Sequence, residues 1–234
     1  MSRAPQEAFH SPHYLRINAR RLEHLASLNL QLRGLRVLEA GAGIGDHTHY
    51  FLDRDCDVTL LEGRLPNVEI LRELYPNQQI VHMDMENPAS IPGTPFAIVY
   101  CSGLLYHLNK PAEAIRFLSE QCAHMMIVET CVSFGSEAVA NPVPEDPSDP
   151  TQAMSGGGCR PTRLWLLSQM RQHFPYVYFP RTQPNHEEFP LDWNSPEKHH
   201  SEKGLARAIV IGSRAPIAND LLSSELLDVQ IRHE

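Results

Sequence analysis

The stretch Val37-Leu38-Glu39-Ala40-Gly41-Ala42-Gly43-Ile44-Gly45 decides the fold. A short apolar run, Arg36–Ala40, reads as a buried strand that enters a glycine-rich turn. Glycines there permit positive φ and let a ligand approach the backbone. A helix is expected to follow, presenting free N–H groups at its start. The spacing is GxGxG rather than the GxGxxG of dinucleotide sites, where a diphosphate sits at the helix start. Glu39 stands just before the glycines, and an acid suits a ligand with a positive amino group better than a diphosphate. The same turn also has a plain packing explanation, since tight strand-to-helix turns use glycine without any ligand.

Working outward, the pattern of strand and helix repeats. Asp57–Leu61, Gln79–His82, Phe96–Tyr100 and Met125–Glu129 read as the second to fifth strands. Pro66 and Pro111 suit first-turn helical positions, where the missing N–H is no loss. After Pro111, Ala114, Ile115, Leu118 and Cys122 share one face. Upstream, Tyr14–Leu30 reads as a helix with Leu15, Ala19, Leu22 and Ala26 at helical spacing, preceded by mobile opening residues. Downstream, Thr162 offers an N-cap to a helix from Arg163 to His173. Tyr176–Phe179 and Ala206–Ile211 supply the sixth and seventh strands. A tail from Asn219 forms a peripheral helix or frays. Alternating strands and helices require crossovers, hence a mostly parallel sheet covered on both faces.

Three acids keep step with this alternation. Glu39, Glu62 and Asp84 each fall at the C-terminal end of an expected strand, and such ends line the ligand crevice of an open parallel sheet. Glu62 can accept hydrogen bonds from two vicinal hydroxyls, and Asp84 one from an amino group. A single acid of this kind usually caps a helix or is solvated; three in phase point to one cleft.

Val37–Gly45, Glu62, Asp84-Met85 and Phe96–Leu108 (FAIVYCSGLLYHL) together resemble the successive motifs of class I methyltransferases that use S-adenosylmethionine (SAM). The resemblance covers about residues 34–130. It implies an α/β Rossmann-like fold: a seven-stranded, mostly parallel sheet with one antiparallel edge strand, flanked by helices in three layers. It also implies cofactor roles. Glu39, Gly41, Gly43 and Gly45 would hold the methionine end, Glu62 the ribose, and Asp84 with Met85 the adenine; main chain at Ser102 and Gly103 would pass the donor methyl. The expected organisation is one domain over residues 1–234, with its core at about 34–213. Two other classes stay open: an NAD-type nucleotide-dependent oxidoreductase, and a SAM-binding module without turnover.

The acceptor is less legible. His107 is one candidate base, and a structural role for it is the alternative. The segment Arg181–Trp193 gathers His186, Glu187, Glu188, Asp192 and two aromatics, so His186 is the other candidate base, oriented by Glu187 or Asp192. Its alternative is a solvated acidic loop. Arg160 and Arg163 stand at the start of a helix, and with Arg181 they would form an anion site for the acceptor. The competing reading pairs them with Glu187, Glu188 or the acids at 145–149. Asn141–Gly158, rich in proline and glycine, reads as a long loop. It is expected to close with Arg181–Trp193 over the acceptor, with Cys159–Arg163 as floor and Glu187 and Trp193 in the wall. The expected reaction is methyl transfer to an oxygen or nitrogen of a small molecule, one carrying an anionic group if the arginines act as proposed.

Composition narrows the setting. The net charge of −8 argues against general nucleic-acid binding, which needs a basic surface. No apolar run is long enough for a membrane span, and the first residues lack an apolar signal core. Five cysteines without CxxC spacing fit free thiols in a reducing, cytoplasmic compartment. No metal site is expected. His47 and His49 point apart on a helix, His199-His200 lie in a polar loop, and no single segment supplies two histidines and a carboxylate.

Overall fold

The computed structural model describes residues 4–233. Two helices open the chain: α1 (Pro5–Phe9) and α2 (Pro12–Ser27). The α/β alternation then runs β1 (Arg36–Ala40), α3 (Thr48–Leu52), β2 (Asp57–Glu62), α4 (Leu65–Leu74), β3 (Gln79–His82), β4 (Phe96–Ser102), α5 (Pro111–Glu120) and β5 (Cys122–Val132). It is followed by β6 (Ala140–Pro144), β7 (Gly157–Pro161), α6 (Arg163–His173), β8 (Tyr176–Pro180), β9 (Thr182–Gln183), β10 (Ala206–Ser213), β11 (Leu222–Ser223) and β12 (Ile231–Arg232).

The main sheet has the order β11-β8-β10-β5-β4-β1-β2-β3. The pairs β1–β2, β2–β3, β1–β4 and β4–β5 are all parallel. Strand order reverses between β1 and β4, and the crevice outside such a switch point is where open α/β sheets bind ligands. The antiparallel strand β10 is not at the edge, as expected from sequence; it lies between β5 and β8. The two-residue β11 takes the edge and makes the sheet eight-stranded.

Alternation along β1 explains the two-sided core. Leu38 and Ala40 face α5 and α6 through Ala114, Ile115, Leu118, Leu166 and Met170. Val37 faces the other way, towards Leu25, Leu28, Phe51 and Leu71. The inner parallel strands β1, β2 and β4 are therefore buried on both faces, which is why they read as continuous apolar runs, whereas the edge strand β3 is only partly covered.

Several local expectations are corrected. Residues 1–3 lie outside the described residues; from Pro5 the segment expected to be mobile is helical: Ser11 caps α2 by accepting from the Tyr14 amide, Pro12 occupies the first turn, and Ala8 of α1 is buried. The buried face of α2 is Ile17, Arg21, His24 and Leu25, while Leu15 is 53 % exposed. Apolar spacing misled here because the face turned inward carries an arginine and a histidine with dedicated partners: Glu129 for Arg21, Thr182 for His24. The 141–158 stretch is a β6–β7 hairpin, not a plain loop. Its Pro142 and Pro144 are two apart, so their missing N–H groups fall on one edge of the strand. The tail holds β11 and β12 instead of a helix.

Candidate active site

The C-terminal ends of β1, β2, β3 and β4 open into a cleft, walled on one side by α1 and α2 and on the other by residues 150–155 of the β6–β7 hairpin. Glu39, Gly41, Gly43, Glu62, Asp84, Met85, Ser102 and Gly103 all line it. Gly45 does not. A Cβ there would lie 2.3 Å from the Tyr75 ring, at φ +89°, and the Tyr75 hydroxyl donates to its carbonyl at 2.7 Å. The third glycine thus serves packing of the turn on α4, the plain explanation weighed above. Gly41, at φ +74°, has its own constraint: a Cβ would meet Leu104 at 2.7 Å, where the fourth strand's loop crosses the turn.

Glu62 is fixed from three directions. Its Oε2 accepts from the Gly43 amide at 2.9 Å, and its Oε1 accepts from the Arg64 amide at 2.8 Å and the Asn67 side chain at 3.3 Å. It ties the glycine turn to the start of α4. Asp84 spends one oxygen on the Glu86 amide at 2.9 Å and still borders the cleft. Glu39 is different. It is buried and its one hydrogen bond among the described residues is from the Thr48 hydroxyl, at 2.7 Å. Burial pushes its carboxyl up to about 8. A buried acid with no cation of its own fits a positively charged ligand group, since only such a partner would return it to the ionised form. The donor set therefore suits SAM, an adenosine with a ribose diol at one end and an ammonium at the other.

The inner end of the cleft holds a charge network that the sequence reading missed. Glu129 of β5 lies 3.0 Å from Arg21 of α2 and 3.1 Å from Arg207 of β10, and accepts from the Ser102 hydroxyl at 3.0 Å. Arg207 also pairs with Glu188 at 2.5 Å. All four charged residues are buried. Burial works to raise the Glu129 carboxyl, yet Arg21 and Arg207 outweigh it and hold it down at about 2. Arg21 lines the cleft, and its Nε has no hydrogen-bond partner among the described residues. Beside it, His47 meets the Tyr100 hydroxyl through Nδ1 at 3.0 Å, and its unpartnered Nε2 is also buried at the cleft wall. Burial pushes the His47 imidazole down to about 3, so it is neutral at physiological pH. One signal for this network was available: Glu129 is a fourth acid at the end of an expected strand, Met125–Glu129, although β5 itself runs on to Val132.

The hairpin tip roofs the cleft. Glu145 bonds the His107 imidazole and accepts from the Ala153 amide at 2.8 Å. Arg64 donates to the carbonyls of Pro147 and Gln152 at 3.2 and 3.0 Å, and Asn109 bonds Ser155 at 2.8 Å. Met154 packs on Gly63, directly after Glu62. His107 thus lines the cleft but its Nδ1 is committed to the roof; burial lowers its pKa, against the raising effect of Glu145.

The other acceptor-site expectations fall elsewhere. His186 is 2 % exposed and lies under the flank of α2, its Nδ1 accepting from the Glu188 amide at 3.2 Å. Glu187 pairs with Arg16 of α2, at 2.5 and 2.6 Å. Trp193 donates to Gln230 at 2.7 Å and is covered by the Arg163 guanidinium at 3.9 Å from its ring. Arg163 donates to the Leu227 carbonyl and Arg181 to that of Asp220. None of these five lines the cleft. The cause is the C-terminal tail: β12 pairs with β9, and Arg232 binds the carbonyls of Pro184, His186 and Phe189. That holds residues 181–193 against α2, so only the hairpin closes over the site. Arg160 sits behind the wall, 3.3 Å from Glu145 and over the Tyr106 ring, as in the ion-pair alternative.

A family model described as a methyltransferase domain matches residues 13–185. No curated protein matches the chain by sequence. Among solved structures, the N-terminal domain of EvdMO1 with SAH bound is similar at a TM-score of 0.64 and 18 % identity, over 87 % of this chain and 84 % of that one. A SAM-dependent methyltransferase from Mesorhizobium loti gives 0.59 at 15 % identity, over 83 % and 98 %. Coclaurine N-methyltransferase, bound to N-methylheliamine and SAH, gives 0.53 at 16 % identity, over 74 % and 53 %. At these identities the likeness is one of fold, and the family match carries the assignment. The oxidoreductase alternative is set aside, and the chain belongs to the methyltransferase domain family as a class I SAM-dependent enzyme.

Proposed function

We propose that the protein transfers the methyl group of SAM to an oxygen or nitrogen of a small acceptor that carries an anionic group. The observation that supports this best is the roof. With residues 150–155 fastened over the cleft by Glu145, Arg64 and Asn109, the route to its inner end suits a small molecule and not a folded macromolecule. The net charge of −8 points the same way, away from nucleic acid.

In this reading Glu62 holds the ribose hydroxyls, Asp84 and Met85 the adenine, and Glu39 the ammonium group. The backbone at Ser102–Gly103 passes beside the reacting centre. Bound SAM supplies a methyl on a sulfonium, which leaves as a neutral thioether. The remaining work is alignment of an incoming lone pair and, for a protonated nucleophile, removal of a proton. Arg21 replaces Arg160, Arg163 and Arg181 as the residue that orients an anion, because it lines the cleft with a free Nε donor. His107 is the remaining base candidate, with Glu145 behind it. Free buried thiols at all five cysteines suit a cytoplasmic setting. Among the described residues no helix is long and apolar enough to cross a membrane.

The test is transfer of labelled methyl from SAM across hydroxy- and amino-acceptors, each as a carboxylate or phosphate and as its neutral ester or amide. Turnover confined to the anionic members, with a raised KM in Arg21→Lys, is expected. Turnover of neutral members alone, or of protein or RNA only, overturns the reading.

A further inference from the structure

Away from the cleft, four side chains from three segments converge on the flank of α2. His13 lies in its first turn, His186 and Glu187 in the segment after β9, and Glu202 in the turn before β10. His13, His186 and Glu187 each offer a ligand atom, all within 4.8 Å of one another. His186 Nε2 is 3.5 Å from Glu187 Oε2, and His13 Nδ1 is 3.6 Å from Glu202 Oε2. Nitrogen and oxygen ligands at about 2.0–2.1 Å from a tetrahedral zinc stand about 3.3–3.4 Å apart. These two pairs are a few tenths of an ångström wider; the other separations within the trio reach up to 4.8 Å, and Glu202, whose side chain is 70 % exposed, must swing in with them to close the set.

Two features separate this cluster from a chance meeting of polar groups. His13 Nδ1 and His186 Nε2 are both buried and without a hydrogen-bond partner among the described residues. Buried polar atoms are normally satisfied, so two orphans in one cluster call for an occupant. His13 also has a carboxylate behind it. Its Nε2 is 2.9 Å from Glu188 Oε1, off the line of a formed hydrogen bond, and Glu188 is itself held by Arg207. A carboxylate behind a ligating imidazole is the usual support of a metal-bound histidine, fixing the ring and its tautomer.

We propose that His13, His186, Glu187 and Glu202 form a divalent transition-metal site, with zinc the best fit to two nitrogens and two carboxylates. Two groups oppose the ion and must yield. Arg16 holds Glu187 at 2.5 Å and lies 3.9 Å from Glu202; being 48 % exposed, it can swing into solvent. The 3.2 Å bond from the Glu188 amide to His186 Nδ1 is given up when that nitrogen takes the ring proton. With Arg16 swung into solvent, the charges facing the site are Glu187, Glu188 and Glu202 against Arg207 and Arg232, which leaves it net negative and receptive to a cation. The ion would sit outside the cleft and pin the first turn of α2 to the body of the protein. Tyr14, Asn18 and Arg21 of that helix line the cleft, so the ion would steady one of its walls.

The test uses the full chain stripped with chelator and titrated with Co2+ and Zn2+. One Co2+ per chain is expected, with the intense visible absorption of a tetrahedral site, displaced by Zn2+. His186→Gln and Glu187→Gln should each weaken binding tenfold or more, and Arg16→Ala should strengthen it by removing the competitor for Glu187. Should His186→Gln fail to fold, Glu202→Gln serves, because that side chain is 70 % exposed and its loss leaves the core intact. Absence of Co2+ binding overturns the proposal. So does binding that these variants leave unchanged, or an octahedral spectrum from a surface site such as His199-His200.

Discussion

Glu39→Gln is expected to make the free protein more stable at neutral pH while loosening its hold on SAM. Glu39 is buried, with Thr48 its hydrogen-bond partner, and its carboxyl is pushed from an ordinary 4.5 to about 8. A carboxyl raised on folding contributes fully below its unfolded value and loses that contribution as pH rises towards the folded one. Over the roughly 2.5 units between pH 5 and 7.5, at about 1.4 kcal/mol per unit, the wild type loses about 3 kcal/mol through this group. The amide has no such loss, and it keeps an oxygen for the Thr48 hydroxyl. Urea unfolding of both proteins at the two pH values isolates the effect, because every other titrating group cancels in the difference. The gap should move by about 3 kcal/mol in favour of the variant on going to pH 7.5. Calorimetry should show SAM affinity falling by about 1.5–3 kcal/mol, the scale of a hydrogen bond between charged groups. The wild type should release a proton on binding SAM at pH 7, since the ammonium returns Glu39 to its ionised form; the variant should not. Parallel pH profiles together with unchanged SAM affinity would refute the reasoning.

Other outcomes follow from the same geometry. Glu129→Ala leaves Arg21 in the interior without a carboxylate and Arg207 with Glu188 alone, and should cost about 3–5 kcal/mol in denaturant unfolding. In the wild type, the contribution of Glu129 is present above pH 4.5 and should be lost as pH falls towards about 2. Glu62→Ala should weaken SAM by about 1.5–3 kcal/mol in calorimetry, and it also releases the Gly43 and Arg64 amides. Gly45→Ala forces a Cβ against Tyr75 at positive φ and should destabilise by about 1–3 kcal/mol in thermal unfolding, leaving the SAM affinity of folded protein unchanged. Glu145→Ala unfastens the roof from His107 and Ala153; SAM should dissociate faster in stopped flow, and residues 146–156 should be cut sooner by protease.

The cleft at the strand ends was legible because its cues are local. A strand, a glycine turn and an acid at a strand end are neighbours in the chain, and strand periodicity carries Glu39, Glu62 and Asp84 to one edge of the sheet. The acceptor half depends on contacts between distant segments, which no spacing encodes. Arg21 lies off the apolar face that helical spacing marks, and only Glu129 of β5, far along the chain, gives it a buried partner. His186 and Glu187 looked like a catalytic loop, yet Arg232, near the end of the chain, draws that loop away from the cleft. The prolines of 141–158 signalled irregular chain; they are compatible with an edge strand, and register with β7 decided the matter.

The central claim is that one SAM molecule lies between Glu39 and Glu62 beneath the hairpin tip, and a crystal structure with SAH tests it most directly. The account predicts the ribose hydroxyls on Glu62, the amino group near Glu39, the sulfur beside Ser102 and Gly103, and Met154 over the nucleoside. SAH found outside this cleft, or with its ribose away from Glu62 and its amino group away from Glu39, would contradict it.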